Sequence, residues 1–328
     1  MVNRMMKTEI TVAICMYNAE KYIEETLACI MTQTMQDFHL LIVNDCSTDG
    51  SVECVKRFFK QNPRQYELVS LPENRGLCAG RRFVEEHATT KYLLFVDADD
   101  CPLPYFVEKL YKKIISDDKL IAVGCYLQYI DLYGRRIKGG IFLGETTKDS
   151  FFQKARNGKL IFMASTSLYD REIALSVGGH NINGFPKGKP RYQDLCEDLD
   201  LWTRMSDLYT EGKAIVVIPE VLYYYRKGDG ISLSSLGMLL RMRHIKMNLK
   251  RRRKGLDEWS FIDFRAQLST EEMRRLEKEA CAADALRRAY YHLRAGHIIA
   301  GVKDLFLSIK SNPHYFVDKV KHNLLRMK

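Results

Sequence analysis

Long apolar runs, paired cysteines and glycine-rich phosphate loops are all missing from this 328-residue sequence. No stretch approaches the roughly 20 apolar residues that a membrane-spanning helix needs, and the opening MVNRMMKTEI has no apolar leader segment. The nine cysteines form no C-x-x-C pair, which argues against a zinc site and against a disulfide framework. We therefore expect free thiols in a reducing compartment and a protein that is kept in the cytoplasm.

The usual nucleotide-binding loops are also absent. The sequence contains no G-x-x-x-x-G-K-[ST] segment, and no G-x-G-x-x-G follows the first strand-forming run, ITVAICM at residues 10–16. Such loops hold phosphate groups through their backbone amides. A nucleotide bound to this protein would therefore have to be held by carboxylates and a metal ion.

The formal charge of +10 is distributed unevenly along the chain. Residues 1–233 contain 30 Lys and Arg against 31 Asp and Glu, whereas residues 234–328 contain 21 against 10. An excess of positive charge favours anionic partners. We therefore expect the C-terminal part, and not the rest of the chain, to prefer an anionic neighbour.

Short apolar segments alternate with amphipathic helical patterns in the N-terminal part. The strand-like segments are 10–16, 38–43, 66–71 and 91–96, and helical patterns lie between them, as in the face formed by Ile23, Leu27 and Ile30. Continuous apolar strands separated by helices are typical of a parallel sheet that is covered on both faces. The sequence therefore predicts an α/β fold with a mostly parallel, nucleotide-binding sheet flanked by helices.

Polar clusters follow three of these strands, and the third is the most unusual. In LLFVDADD, residues 93–100, three carboxylates fall in four positions: Asp97, Asp99 and Asp100. Like charges this close raise one another's pKa unless a cation lies among them. Asp97 and Asp99 flank Ala98 and so project to one side of an extended segment, which suggests a metal site. Helix capping is the alternative, and it suits Asp100 best.

A second acidic cluster begins a helix in the segment CEDLDLWTRMSDLY. Its apolar residues recur at helical spacing: Leu199, Trp202, Met205 and Tyr209. Glu197 and Asp198 then fall in or before the first turn, where the helix N-terminus stabilises a charged acid. A charged carboxylate is the state that a general base needs. The alternative is that the two acids are ordinary residues at the start of a helix and have no catalytic role.

Four segments, in this order and spacing, resemble the family 2 glycosyltransferases, whose fold is called GT-A. They are TVAICMYNAEKYIEETLACIMTQTMQDFHLLIVNDCSTDGS, ENRGLCAGRR, FVDADD and CEDLDLW. The resemblance covers residues 8–235, about two thirds of the chain, and it is closest to enzymes of bacterial surface polysaccharides. It implies an inverting sugar transfer from a nucleotide-diphosphate donor, with Mn²⁺ or Mg²⁺ as cofactor.

The resemblance also implies roles for residues on the donor side. Asp99, the second acid of its motif, is expected to bind the metal, and Asp97 to approach both the ribose and the metal's water shell. Asp45 in VNDCSTDG is expected to bind the base. Arg81 matches an arginine that faces the nucleotide, although solvated helix arginines are common. Tyr17 is placed to stack on the base, with a rim tyrosine as the alternative.

On the acceptor side, the resemblance makes Asp198 the base that takes the hydroxyl proton and gives Glu197 a supporting role. Two departures from the family pattern are visible. Asn44 and Cys46 flank Asp45 where other residues are commoner. The segment YYYRKGDGIS, residues 223–232, lacks a histidine that can join the metal or diphosphate, so Arg226 or Lys227 is left to neutralise phosphate and no third metal ligand is assigned.

The predicted domains are 1–235, the GT-A domain, and 236–328, a basic helical region. Residues 183–193, NGFPKGKPRYQ, read as a mobile loop or a connector. The C-terminal helices place Ile298, Val302, Leu305 and Ile309 on one face with lysines elsewhere. Such helices fit an anionic membrane surface, which would make the protein peripheral at the inner face; a solvated appendage is the alternative. No nucleic-acid module is recognisable.

The expected function is therefore transfer of a sugar, most simply from a UDP-sugar, to a hydroxyl of a glycan or lipid-linked acceptor. A haloacid-dehalogenase-like phosphotransferase would also end a strand in D-x-D, but on the first strand and not on the fourth. A non-enzymatic basic adaptor that binds membranes or nucleic acid would leave the sheet-end clusters unexplained.

Overall fold

The computed structural model describes residues 8–227, 235–294 and 296–325. Its strands form one sheet. They are β1 (Ile10–Met16), β2 (His39–Asn44), β3 (Glu67–Ser70), β4 (Tyr92–Phe95), β5 (Cys101–Pro102), β6 (Leu120–Ile130), β7 (Arg136–Ile141), β8 (Leu168–Asp170) and β9 (Ala214–Arg226). The order across the sheet is β3-β2-β1-β4-β8-β6-β9-β5, and β7 pairs with β6.

Helices connect these strands and then continue alone to the C-terminal region. They are α1 (Ile23–Met31), α2 (Ser51–Gln61), α3 (Leu77–His87), α4 (Phe106–Ile115), α5 (Lys148–Arg156), α6 (Arg171–Ser176), α7 (Glu197–Met205), α8 (Ser235–Arg252), α9 (Phe261–Ala266), α10 (Thr270–Arg294), α11 (Ile298–Ser311) and α12 (Pro313–Leu325). Within the described ranges, no helix combines the length and apolarity that crossing a membrane requires.

The first four strands form the predicted parallel sheet. β1 pairs with β2 and with β4, and β2 pairs with β3, all in parallel. Six of the seven β1 side chains are buried, because helices cover this part of the sheet. Since parallel strands end at the same edge, the polar clusters that follow β1, β2 and β4 lie along one edge. The predicted α/β fold is confirmed.

The remaining strands make the sheet mixed. β8 pairs antiparallel with both β4 and β6, β6 pairs parallel with β9, and β5 pairs antiparallel with β9. β5 follows the acidic cluster directly. Its pairing with Tyr223 and Tyr224 of β9 therefore attaches the end of that cluster to a strand from much later in the chain.

The described residues form two compact units. One contains residues up to Asn183 and from Cys196 to Lys227, and the other contains Gly184–Leu195 with the helices from α8 onwards. The first unit holds the sheet and its large apolar core. The domain boundary predicted at residue 235 assigns residues 184–195 to the first domain, whereas their contacts place them in the helical unit.

Aromatic packing explains why the insertion joins the helical unit. The ring of Phe261 in α9 lies 4.7 Å from that of Tyr192 and 5.6 Å from that of Phe185, between centroids. The guanidinium of Arg241 in α8 lies over the Phe185 ring and donates to the Leu195 carbonyl. These contacts give residues 184–195 a defined place that their Gly, Pro and Lys content does not predict.

A buried carboxylate fixes α3 in the first unit. Glu85 accepts hydrogen bonds from the Tyr169 hydroxyl and from the His180 backbone amide, and it pairs with the His180 ring at 2.7 Å. Burial acts to raise the pKa of Glu85, but the charge and hydrogen bonds of His180, together with the Tyr169 hydroxyl, outweigh it and the pKa is lowered. The charged form is therefore the stable one in the fold.

Replacing Glu85 by glutamine should lower the free energy of unfolding by about 3 kcal/mol, because a buried hydrogen-bonded pair loses its charged partner. Urea denaturation at neutral pH measures the change. Glu86→Gln is the matched control, since Glu86 is the next residue of α3 and its ion pair with Arg82 is exposed; its loss should cost less than about 1 kcal/mol. Equal effects of the two substitutions would contradict this role of Glu85.

Candidate active site

The predicted donor-side residues lie where the parallel strands end. Tyr17 follows β1 directly and is 50% exposed. Asp45 follows β2, and Asp97 and Asp99 lie in the turn after β4. The structure thus places all four at the same edge of the sheet, as predicted from the parallel repeats.

Asp45 is buried and shapes the loop before α3. Its two carboxylate oxygens accept hydrogen bonds from the backbone amides of Arg75 and Gly76, each at 2.8 Å. The Asn74 side chain donates to the Asp45 carbonyl at 3.1 Å. Gly76 has a φ of 93°, which favours glycine. Contact between Asp45 and a nucleobase stays a prediction.

The three acids after β4 differ in their surroundings. Asp97 and Asp99 are half-buried, whereas Asp100 is buried and accepts from the backbone amide of Arg226 at 2.7 Å. The predicted capping role of Asp100 is wrong, because the next long helix, α4, begins only at Phe106 and has Tyr105 at its N-cap. Asp100 instead joins the turn to the end of β9.

The buried side chain of Arg226, the last residue of β9, also connects the turn after β4 to the rest of the domain. Its guanidinium is almost fully buried and donates to the Asp99 carbonyl at 2.7 Å, to the Glu25 carboxylate at 2.7 Å and to the Asp131 carbonyl at 3.1 Å. The expectation that Arg226 could neutralise a phosphate is therefore wrong. For Lys227, the ammonium lies over the rings of Tyr129 and Tyr225.

One buried arginine connects the two acidic clusters. Arg81 of α3 is 2% exposed; its Nη2 donates to Oδ1 of Asp97 at 3.0 Å and its Nη1 to Oε1 of Glu197 at 2.6 Å. Burial disfavours the charge of Arg81, but Glu197 and Asp97 outweigh this and raise the pKa of the guanidinium. The turn after β4 and the start of α7 are thereby brought together.

Asp198, beside Glu197, is half-buried in the first turn of α7, and its Oδ1 accepts from the Leu199 amide at 2.7 Å. Burial raises the pKa of Asp198, while the charge of Arg81 acts in the opposite direction. A helix N-terminus acts to lower the pKa of an acid, as expected from the sequence, but in the structure burial is the larger effect. A raised pKa makes this carboxylate a stronger base whenever it is ionised.

The carboxylates of Asp97 and Asp99 fit a hard divalent cation. Burial, reinforced by the neighbouring charge of Asp97, raises the pKa of Asp99 to about 6. Such mutual repulsion is what a bound cation would relieve. Across residues 8–227, 235–294 and 296–325, no three His, Cys, Asp or Glu side chains form a ready-made metal cluster. Mg²⁺ in proteins takes only one or two carboxylates and keeps waters and phosphate oxygens as its other ligands.

Comparison with known proteins places the chain in a family. Residues 11–177 match the model of the family described as Glycosyl transferase family 2. Glycosyltransferase GlyA of Streptococcus pneumoniae is 34% identical over 217 residues, which are 66% of this chain and 29% of that protein. The chain therefore spans less than a third of the length of this relative. It belongs to family 2 of the glycosyltransferases.

Solved structures share the fold at low sequence identity. The crystal structure of S. aureus TarS 1-349 in complex with UDP-GlcNAc matches with a TM-score of 0.53 at 18% identity, covering 90% of each chain. The mannosyltransferase PcManGT from Pyrobaculum calidifontis, in complex with GDP-Man and Mn²⁺, matches with a TM-score of 0.52 at 19% identity, covering 98% of this chain and 88% of its own. The sheet and helices of this chain are thus the predicted GT-A fold.

Several residues of the site were missed by the sequence analysis. Tyr223 accepts a hydrogen bond from the Asp97 amide at 3.1 Å, and Glu25 holds Arg226 from α1. Both partners are remote in the chain from the residue they hold, so no local pattern identifies them. The sequence does single out Arg226, but as a group that neutralises phosphate and not as a buried link.

Replacing Arg81 by lysine should lower the free energy of unfolding by about 2 kcal/mol, because a single ammonium cannot reproduce the two-pronged contact and one charge-assisted hydrogen bond is lost. Arg57→Lys in α2 is the control, because the contact of Arg57 with Glu24 is also two-pronged but is exposed. Urea denaturation of both variants measures the difference. An Arg81→Lys variant as stable as the parent would show that the bridge is not a structural link.

Proposed function

We propose that the protein is a metal-dependent, inverting glycosyltransferase. It moves a sugar from a nucleotide-diphosphate donor, in the first instance a UDP-sugar, to a hydroxyl of a glycan or lipid-linked acceptor in surface-polysaccharide synthesis. Membership of family 2 supports the class of reaction. The complexes of TarS with UDP-GlcNAc and of PcManGT with GDP-Man and Mn²⁺ support a nucleotide-sugar donor and a divalent cation.

The link through Arg81 is the observation that carries this proposal. Sugar transfer needs a cation-binding site for the leaving diphosphate and a base for the incoming hydroxyl, held at a set distance. Arg81 contacts Asp97 on the first side and Glu197 on the second, next to Asp198. One buried side chain therefore connects Asp97, which neighbours the proposed metal ligand Asp99, with Glu197, which neighbours the proposed base Asp198.

On the acceptor side, Asp198 accepts the proton of the attacking hydroxyl as its oxygen bonds to the anomeric carbon. The raised pKa of Asp198 favours this transfer. Glu197 is occupied by Arg81 and is nine-tenths buried, so its role is to position the first turn of α7. Asp198 is thus the reacting carboxylate and Glu197 the positioning one.

On the donor side, Asp99 would hold Mn²⁺ or Mg²⁺ with Asp97 beside it, and the cation would neutralise charge on the departing diphosphate. Asp97 is kept in place by Arg81 and by the hydroxyl of Tyr223. Tyr17 has an exposed ring on which a base can stack. Arg81 itself is too deeply buried to be the main nucleotide contact, so we assign it to positioning.

Asp198→Asn should abolish sugar transfer while leaving UDP binding nearly unchanged, because the amide cannot take up the hydroxyl proton. Release of UDP from a panel of UDP-sugars measures transfer, and calorimetry with UDP and Mn²⁺ measures binding. Glu211→Gln, an exposed acid beyond α7, is the control and should keep both. Retained turnover in Asp198→Asn would remove the assignment of the base.

Asp99→Asn should weaken UDP binding in the presence of Mn²⁺, because the cation loses a protein ligand. We expect a loss of affinity of about tenfold or more, as is typical of perturbed metal sites. In EDTA the variant and the parent should bind UDP equally weakly. Calorimetry with and without Mn²⁺ tests this, with the exposed Asp118→Asn as the control. An affinity that is unchanged in Mn²⁺ would contradict the ligand role of Asp99.

A further inference from the structure

Helix α11 packs on its neighbour through its smallest residues. Gly301 and Ser308 are the buried positions of this helix. A Cβ on Gly301 would lie 2.6 Å from the Leu293 side chain of α10, and the Ser308 hydroxyl donates to the Ala282 carbonyl at 2.8 Å. The contact with α10 is therefore close, and only small side chains fit there.

The large apolar residues of α11 consequently face away from α10. Ile299 is 88% exposed, Phe306 69% and Ile298 66%, and Val302 and Ile309 are also exposed. The spacing 299, 302, 306, 309 places them along one side of the helix. Leu305, which the sequence pattern assigned to this side, is instead partly buried. A helix packed in a core normally has the reverse arrangement.

The charges around this apolar side are cationic. Lys303 and Lys310 are exposed and border it. The carboxylate of α11, Asp304, is turned away: its side chain is 13% exposed and it accepts hydrogen bonds from Arg288 and His292 of α10. The outer side of α11 therefore presents apolar groups and ammonium groups without an exposed acid.

We infer that the outer side of α11, formed by Ile298, Ile299, Val302, Phe306 and Ile309 with Lys303 and Lys310, docks on an anionic lipid surface. An amphipathic helix with an apolar side and flanking lysines lies in the plane of such a surface, with its apolar side among the acyl chains and its ammonium groups at the headgroups. The excess of positive charge after residue 233 also favours binding to an anionic surface. This inference goes beyond sugar transfer and does not depend on it.

The test is co-sedimentation of the full chain with phosphatidylcholine vesicles that contain or lack phosphatidylglycerol, without a sugar donor. The double substitution Ile299→Ser with Phe306→Ser should weaken binding to the anionic vesicles by about tenfold or more, because apolar area is lost from the contact. The matched control is Leu132→Ser with Tyr133→Ser, two exposed apolar residues in the turn between β6 and β7. The control should bind like the parent.

The charge requirement is tested separately by Lys303→Gln with Lys310→Gln. At low ionic strength this variant should bind anionic vesicles about thirtyfold more weakly, since each lysine near such a surface contributes about 1 kcal/mol. Vesicles of phosphatidylcholine alone should bind the parent much more weakly than anionic ones. Circular dichroism of every variant confirms that these exposed substitutions leave the helices intact.

Three results would overturn the inference. They are failure of the parent to bind anionic vesicles, binding that Ile299→Ser with Phe306→Ser leaves unchanged, and a parent dimer in light scattering that the same substitutions dissociate. The last would mean that a second copy covers α11. Because no donor is present, each of these results would leave the proposed sugar transfer untouched.

Discussion

The ion pairs of Arg81 are the interaction on which the rest of the site depends. Removing an arginine from water is costly, and only well-placed partners compensate for it. Here the partners, Asp97 and Glu197, come from parts of the chain a hundred residues apart. Their convergence requires β1 and β4 to be parallel neighbours and α3 to lie against them. The order of the sheet therefore determines the geometry of the site.

Hydrogen bonds to β9 fix the turn after β4, in which three acidic residues lie close together. Its backbone is attached to β9 through the Asp99 carbonyl and the Asp97 amide, and Asp100 is turned inwards to the Arg226 amide. Burial and the charge of Asp97 raise the pKa of Asp100 well above its usual range. The fold thus keeps Asp97 and Asp99 half-exposed at the strand end despite the repulsion among the three acids.

Local patterns in the sequence predicted the parallel repeats closely. The segment 91–96, for example, contains β4, and the predicted helical face of Ile23, Leu27 and Ile30 is the buried face of α1, because periodicity depends only on neighbours in the chain. The antiparallel strand β8 has three residues, too few to show a period. Long-range contacts were likewise beyond reach: the burial of Arg226, the inward turn of Asp100 and the packing of Phe185 on Phe261 all depend on partners that the chain brings together only after folding.

Arg81 was assigned to the nucleotide through the family resemblance, and a contact with the nucleotide stays a prediction. The structure adds the two internal partners of its guanidinium, Asp97 and Glu197. Its charge has a further effect, since it opposes the burial that raises the pKa of Asp198. Arg81 therefore both places the acid pair of α7 and limits how strongly Asp198 retains a proton. A substitution there changes the position and the protonation of the proposed base together, so its effect on turnover would not separate the two.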